Sequence, residues 1–306
     1  MKKAIRIILP LLVLYFLITW ALAAISLQKG VGRRDQIPQK EPAYTDEMQS
    51  AYPRKEVTFL SGQNRLHGWL YTDGDPSDDA GLVIVAHGLG GGADSHLIET
   101  LDFVDHHYSV FSYDGTGTRE SEGAGVRGLY QATLDLDAAL DHVRETQEFE
   151  TQPIFVYGHS AGGYAAVAVL EEHEEVDGIV SVCAFDRPLQ EMMAQARKRA
   201  GFSAYLGYPG LALQYGILFG RDANRSAASI LSKTDVPALI VAGSADEVVP
   251  LPVSLYGKQD LILDPNASFL LMEEQGYNGH TGLWRSADFM QAVLAFLREA
   301  SALPGG

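Results

Sequence analysis

The chain has 306 residues, of which 46% are hydrophobic and 20% charged, and this composition excludes an intrinsically disordered protein. Its formal net charge of −16 leaves no basic field for phosphates, which argues against a nucleic-acid partner. The only cysteine, Cys183, excludes an intramolecular disulfide and follows an apolar stretch that favours a buried, inert thiol. The length accommodates one large α/β domain with its own core.

The N-terminus carries an almost unbroken apolar run, Ile7–Leu27, after a short basic stretch. About 21 residues at roughly 1.5 Å each cover a bilayer core of about 30 Å. The small-x-small pattern Ala21–Ala23 is typical of a signal-peptidase site. Residues 1–27 are therefore a transmembrane anchor or a cleaved signal peptide, and the length of the run favours the anchor. We expect a single-pass protein of the cell membrane with its folded body outside the cytoplasm, secretion being the alternative.

Residues 28–54 contain prolines among charged residues and predict a polar linker into a domain spanning residues 55–300. The domain opens with a predicted hairpin formed by Val57–Leu60 and Leu66–Tyr71. Continuous apolar runs, which are typical of parallel strands buried on both faces, then occur at Gly81–Ala86, Tyr108–Tyr113, Pro153–Tyr157, Gly178–Cys183, Ala238–Ala242 and Phe269–Met272.

Helical periodicities separate these strands, most clearly at Tyr130–Val143. Alternation of strands and helices over this length predicts an α/β fold with a doubly wound, mostly parallel sheet. The interval from Phe185 to about Ser232 interrupts the alternation with helical, aromatic-rich sequence that is too long for one crossover. We interpret residues 185–232 as an inserted helical cap.

The segment Gly158–Gly162 reads G-H-S-A-G and matches the G-x-S-x-G pattern, which is weak evidence by itself. Its context is more specific, because it follows the strand Ile154–Tyr157 and precedes the helical run Tyr164–Leu170. This strand–turn–helix arrangement is what a nucleophile elbow requires. The sequence therefore predicts Ser160 as a nucleophile in a strained turn.

An oxyanion formed beside Ser160 needs preformed N–H donors. The Ala161 amide at the start of the helix is one candidate. The second is the Leu89 amide in His87–Gly92, an H-G-L-G-G-G segment that ends the third strand. A phosphate-binding glycine loop is the rival interpretation, but the segment lacks the lysine and the helix register of a P-loop.

A serine nucleophile needs a base, and the base needs an orienting acid. Asp246 follows the strand Leu239–Val241, where its carboxylate can reach across the carboxyl edge of the sheet, and it is the predicted acid. His280, in the loop after the last strand, is the predicted base. Glu247 is the rival acid, and Asp264 a weaker one.

The remaining histidines are predicted to be structural. His87 and His159 belong to the motifs around them, and six others are expected at surface or packing positions: His67, His96, His106, His107, His142 and His173. The sequence has no H-E-x-x-H motif and no Cys/His cluster with ligand spacing. We therefore expect neither a metal nor a cofactor.

The motifs follow one another along roughly residues 55–300 in the order H-G-L-G, D-G-T-G-T-R-E-S-E-G, G-H-S-A-G-G, G-S-A-D-E-V-V-P and G-H. In this order they resemble the α/β-hydrolase superfamily, and most closely the branch of monoacylglycerol lipase-like esterases and serine aminopeptidases. The resemblance implies acyl transfer from Ser160, with His280 as general base and Asp246 as its orienting acid. It departs at Thr116-Gly117, where that branch often has Arg-Gly.

These features predict a serine hydrolase that cleaves small-molecule or lipid-like carboxylic esters through an acyl-enzyme. A peptidase or amidase of the same fold is the alternative, for which Glu191 and Asp222 are available acids in the cap. A non-catalytic surface binding protein is a third. The oligomeric state stays open. Apolar cap residues are expected either to line the substrate site or to pack the cap onto the sheet: Met192, Met193, Phe202, Tyr205, Leu206, Tyr208, Leu211, Leu213, Tyr215, Leu218 and Phe219.

Overall fold

The sheet at the centre of the molecule has eight strands: β1 Arg54–Ser61, β2 Asn64–Tyr71, β3 Leu82–Ala86, β4 Ser109–Tyr113, β5 Ile154–His159, β6 Val176–Val182, β7 Ala238–Gly243 and β8 Ala267–Met272. Across the sheet their order is β1-β2-β4-β3-β5-β6-β7-β8. Strand β2 pairs antiparallel with β1 on one side and with β4 on the other, and all other neighbouring strands are parallel. The computed structural model that shows this describes residues 2–30, 43–72, 80–146, 148–149 and 151–302, with the backbone alone for residues 2–5 and 30.

The strands lie close to their predicted positions, which confirms the α/β prediction. The first two form the expected hairpin, and the central ones are buried along their whole length because helices cover both faces of the sheet.

Helices cover both faces of this sheet, and the described residues form eight α-helices in all. They are α1 Lys2–Gly30, α2 Leu97–Asp105, α3 Gln131–Thr146, α4 Ala161–Ala168, α5 Pro188–Ala200, α6 Tyr208–Phe219, α7 Ala227–Leu231 and α8 Ala287–Ser301. Alternate residues of a strand point to opposite faces, so Ile84 packs with the core under α3, α4 and α7, while Val83 and Val85 pack with α2 and α8. This two-sided covering is the doubly wound arrangement that the alternating pattern predicts.

The cap lies between β6 and β7 and consists of α5, a 3₁₀ segment at Gly201–Gly207, α6, a short 3₁₀ turn and α7. The inserted helical cap is thus present. The predicted linker at 28–54 falls partly outside the described residues. Its described part contains the end of α1 and a 3₁₀ segment at Asp46–Ser50, and the predicted boundaries of the linker and the domain stay predictions.

Helix α1 is long and apolar enough to cross a membrane between Arg6 and Lys29, by length and composition. Its second half lies against the cap. The Tyr15 hydroxyl donates to the Leu206 carbonyl at 2.5 Å, and Trp20 Nε1 donates to Gln214 Oε1 at 2.6 Å. The N-terminal helix therefore packs on the folded domain.

Candidate active site

Ser160 occupies the turn between β5 and α4. Its backbone has φ 56° and ψ −113°, a region that non-glycine residues rarely adopt. The turn is held on both sides, because the Ser160 amide donates to the Val182 carbonyl at 2.8 Å and its carbonyl accepts from the Tyr164 amide at 3.0 Å. Strain of this kind persists only where surrounding contacts enforce it, and it is common at functional sites.

The glycines of the motif are required by close backbone approach. A Cβ added at Gly158 would lie 2.2 Å from the Gly162 carbonyl oxygen, and one added at Gly162 would lie 2.0 Å from the Ala86 carbonyl oxygen. Both distances are far below van der Waals contact. The strand, the turn and the helix thus fit together only with glycine at these two positions.

Replacing Gly162 with alanine is expected to destabilise the fold by about 3 kcal/mol or more, because the new methyl group overlaps backbone that cannot move aside. Thermal unfolding of the purified protein measures the effect. Gly216→Ala is the matched control, since Gly216 has open space around it inside α6, where alanine favours the helix by about 1 kcal/mol. Equal melting temperatures for Gly162→Ala and wild type would contradict the steric argument.

The glycine-rich loop after β3 lies directly beside the turn. A Cβ at Gly88 would be 3.1 Å from Ser160 Cβ, so Leu89 is one residue from that contact. His87 fixes the loop, because its Nδ1 donates to the Gly88 carbonyl at 2.7 Å and its Nε2 accepts from the Gly115 amide at 2.9 Å. Burial lowers the pKa of His87 to about 4, so the imidazole stays neutral and keeps this tautomer at neutral pH.

The structure brings Asp246 and His280 together. His280 Nδ1 donates to Asp246 Oδ2 at 2.7 Å, and Asp246 Oδ1 accepts from the Val248 and Val249 amides at 2.8 Å each. Both carboxylate oxygens are therefore occupied, and the imidazole keeps Nε2 as its acceptor. The rival acid, Glu247, is exposed to solvent.

The other rival acid, Asp264, makes a local contact, since its Oδ1 accepts from the Asn266 amide at 2.9 Å.

The loop that carries the predicted base, His280, is held by His159, whose Nε2 donates to the His280 carbonyl at 2.7 Å. Burial keeps the pKa of His159 well below its ordinary value, so this ring is a neutral donor.

Cys183 lies at the end of β6, where its Sγ is 3.8 Å from the Gly279 carbonyl oxygen. Burial raises the pKa of the thiol above its usual range, in agreement with an inert cysteine. Ligand atoms of Cys183, His159 and His280 lie within 4.8 Å of one another, a grouping that sequence spacing does not reveal. The trio does not fit a metal well, because a cysteine binds metals as the thiolate and burial keeps this thiol protonated.

Ser160, His280 and Leu89 line one cavity of about 320 Å³. Part of its wall is polar: His96 Nδ1 lies 2.9 Å from Glu99 Oε1, and the Tyr157 hydroxyl donates to the same oxygen at 3.3 Å. Arg119 and Trp284 also line this cavity. His96, predicted at a surface or packing position, thus lies in the cavity wall. The only hint of its pairing in the sequence is the i,i+3 spacing to Glu99.

The apolar cap residues do not form the wall of this cavity. None of the eleven candidates lines it; Tyr215 is buried within the cap base, where its hydroxyl accepts from the Tyr130 amide at 2.8 Å. Phe202 and Leu206 point to solvent, with 84% and 64% of their surface exposed. Packing within the cap and outward exposure therefore account for these residues.

Neither acid considered for a peptidase lines the cavity. Glu191 is buried on α5 and accepts from Gln195 Nε2 at 2.6 Å, and burial raises its pKa. Asp222 forms a surface ion pair with Arg225 at 2.8 Å.

The chain is similar to known proteins in sequence and in fold. A family model described as "Serine aminopeptidase, S33" matches residues 77–214. The "Uncharacterized protein YfhR" of Salmonella typhimurium is 26% identical over 255 residues, which cover 80% of this chain and 82% of that one.

Two solved structures share the fold. The Pyrococcus furiosus esterase Pf2001 matches with a TM-score of 0.65 at 17% identity, covering 87% of this chain and 98% of that one. Pyrococcus horikoshii acylaminoacyl peptidase matches with a TM-score of 0.61 at 14% identity, covering 87% of this chain and 45% of that one. These similarities match the predicted resemblance to the superfamily and its branch, and they support a hydrolase. With this sheet, this turn after β5 and these similarities, the chain has the α/β-hydrolase fold.

Proposed function

We propose that the protein is a serine hydrolase that cleaves carboxylic esters through an acyl-enzyme on Ser160. The observation that carries the proposal is the 2.7 Å contact between His280 Nδ1 and Asp246 Oδ2 in a site whose cavity also contains Ser160 on its strained turn. A nucleophile, a base and an orienting acid in these positions form the arrangement that acyl transfer requires.

In the first half of the reaction, Ser160 Oγ attacks the ester carbonyl carbon while His280 Nε2 takes the hydroxyl proton. Collapse of the tetrahedral intermediate breaks the bond to the alcohol, which leaves with the proton from His280. A water molecule then attacks the acyl-enzyme, again giving its proton to His280, and the carboxylic acid leaves as Ser160 recovers its proton. Asp246 stays ionised and stabilises the imidazolium in both halves.

The negative charge on the carbonyl oxygen would be met by two backbone amides. Ala161 is the first residue of α4, and the first amides of a helix have no intrahelical acceptor. Leu89 follows Gly88, which packs against the Ser160 side chain. Amides on both sides of the serine would thus converge on the oxyanion.

We expect faster hydrolysis of short- to medium-chain esters such as p-nitrophenyl butyrate than of aminoacyl p-nitroanilides. Apolar side chains in the cavity, those of Leu89, Leu283 and Trp284, suit an acyl chain, and each buried CH₂ contributes about 0.8 kcal/mol. A panel of acyl lengths run beside aminoacyl nitroanilides, with Ser160→Ala as background, measures kcat/KM for both classes. Faster cleavage of the anilides than of every ester would overturn the ester assignment.

A peptidase or amidase is the second candidate, and one feature of the cavity favours it. Glu99 is a buried carboxylate in the cavity wall, and a carboxylate there could bind a substrate ammonium. The nitroanilide arm of the same panel tests this candidate. Substitution Glu99→Gln should impair anilide cleavage selectively if the carboxylate binds an ammonium.

We further propose that α1 is retained as a membrane anchor, with the catalytic domain outside the cytoplasm; a secreted form is the alternative. The helix runs without a break through Ala21–Ala23, and Ala23 and Leu27 are buried. Cleavage after Ala23 would remove Tyr15 and Trp20, whose hydrogen bonds hold α1 to the cap.

The protein is therefore expected to sediment with membranes and to resist extraction by high salt, because salt weakens ionic contacts and leaves apolar insertion intact. Fractionation followed by immunoblotting and N-terminal sequencing measures this. Mature protein that begins at Ala24 in the soluble exported fraction would show that the segment is a cleaved signal.

A further inference from the structure

We propose that the cap surface formed by Gly201–Phe219, hereafter the cap tip, inserts into the outer leaflet of the membrane beside α1. This inference rests on the proposed anchor and adds a second, independent site of contact with lipid. The occupant of the surface is the bilayer itself, and the proposal is carried by exposure, by composition and by the attachment of the cap tip to α1.

The cap tip exposes large apolar side chains to a degree that water does not favour. Phe202, Leu206, Leu213 and Ile217 expose 84%, 64%, 49% and 61% of their surface. Soluble monomers rarely leave several large apolar side chains of one segment uncovered, and such exposure marks a protein or membrane contact.

The composition of the cap tip favours the membrane. No Asp, Glu, Lys or Arg occurs between Gly201 and Gly220, whereas Arg197–Arg199 immediately precede this interval and Arg221 follows it. Long cationic side chains at the edge of an apolar surface reach lipid phosphates while their stems stay in apolar surroundings. Tyr205 and Tyr208, both partly exposed, are of the type that collects at the membrane interface.

The contacts between the cap tip and α1 place the cap tip beside the predicted membrane span. Gly210 allows the closest approach, since a Cβ there would lie 2.2 Å from the Thr19 carbonyl carbon. Small residues at such crossings are typical of helices that associate within membranes. Tyr15 lies nine residues after Arg6, or about 14 Å along the helix, which is close to half of a bilayer core of about 30 Å. The cap tip therefore meets α1 over the second half of the predicted span.

Polar groups of the two elements are also satisfied against each other. The Tyr15 hydroxyl bonds to the Leu206 carbonyl, and Trp20 Nε1 bonds to the Gln214 side chain. Hydrocarbon offers no hydrogen bonds, so a segment that enters it must pair such groups internally. The pairing of Gln214 removes the main polar side-chain obstacle to insertion of α6.

Lipid-chain quenching tests the inference on the full-length protein. Cysteines are placed one at a time at Leu206 and Ile217, beside the buried and unreactive Cys183, and are labelled with an environment-sensitive fluorophore. The protein is then reconstituted into phosphatidylcholine–phosphatidylglycerol vesicles with nitroxide-labelled acyl chains. Leu263→Cys is the matched control, because Leu263 is 86% exposed outside the cap. We expect blue-shifted emission and loss of most of the fluorescence at 206 and 217, and neither effect at 263.

Flotation and hydrolysis of p-nitrophenyl butyrate, measured on the same samples, separate the possible failures. Protein that floats with the vesicles while labels at 206 and 217 stay unquenched overturns the inference and leaves the anchor standing. Energy transfer between labelled copies without lipid quenching would assign the surface to a second copy of the chain and overturn it as well. Protein that does not float overturns the anchor and the inference together, whereas loss of ester hydrolysis alone bears only on the proposed function.

Discussion

Replacing Ser160 with alanine is expected to lower kcat for p-nitrophenyl butyrate by about 10⁶-fold, since members of such a catalytic unit act together. The substitution removes the attacking oxygen and keeps the contacts that hold the turn. The backbone contacts of Ser160 to Val182 and Tyr164 are made by its amide and carbonyl, which alanine keeps. The variant should therefore have an unchanged melting temperature.

Covalent labelling distinguishes loss of the nucleophile from general damage. Wild-type protein should react with a fluorophosphonate probe at Ser160, and Ser160→Ala should not react at all. Ser232→Ala, which changes an exposed serine at the C-terminal end of α7, is the control and should label normally. Persistent labelling of Ser160→Ala at another serine would assign the nucleophile elsewhere.

The second large effect is expected for Asp246→Asn, which should reduce kcat by about 10⁴-fold. The Val248 and Val249 amides both donate to Oδ1, so the asparagine oxygen is held there and its NH₂ group faces His280. An NH₂ at that place donates to Nδ1 and forces the proton onto Nε2. The imidazole then cannot accept the proton of Ser160.

The matched control removes a charge next to Asp246 without changing the hydrogen bond between Asp246 and His280. Glu247→Gln lies one residue away in the same loop, is exposed, and should leave kcat close to the wild-type value. Kinetics of both variants on the same ester decide between the two acids. A severe loss in Glu247→Gln together with a mild loss in Asp246→Asn would mean that the acid is Glu247.

Much of the fold follows from local sequence because the sheet is buried on both faces. Runs such as Val83–Val85 must be apolar at every position, and this makes parallel strands visible without tertiary information. The turn at Ser160 is recognisable from local sequence because its glycine pattern follows a strand and precedes a helix, although Gly162 also serves a contact with Ala86 on β3. The chain order of nucleophile, acid and base then led to Asp246 and His280, which the structure brings within 2.7 Å.

The residues that line the cavity at Ser160 were harder to predict, because tertiary packing decides which face of a helix meets this cavity. His96 and Glu99 have the spacing of any surface ion pair. Nothing in the sequence around them shows that Tyr157 and Trp284 line the same cavity. For the apolar residues of the cap, the difficulty was to tell buried positions from exposed ones. Periodicity identifies helices there, but an outward Leu206 and a buried Tyr215 look alike in sequence.

The hydrogen bond from His159 to the His280 carbonyl has a consequence for how the site responds to motion. His159 belongs to the same turn as Ser160, and that turn is wedged between β3 and α4. The loop that carries His280 is thus tethered to the central strands of the sheet. Heating or crowding that distorts the outer loops should leave the distance between serine and imidazole almost constant until the central strands themselves separate.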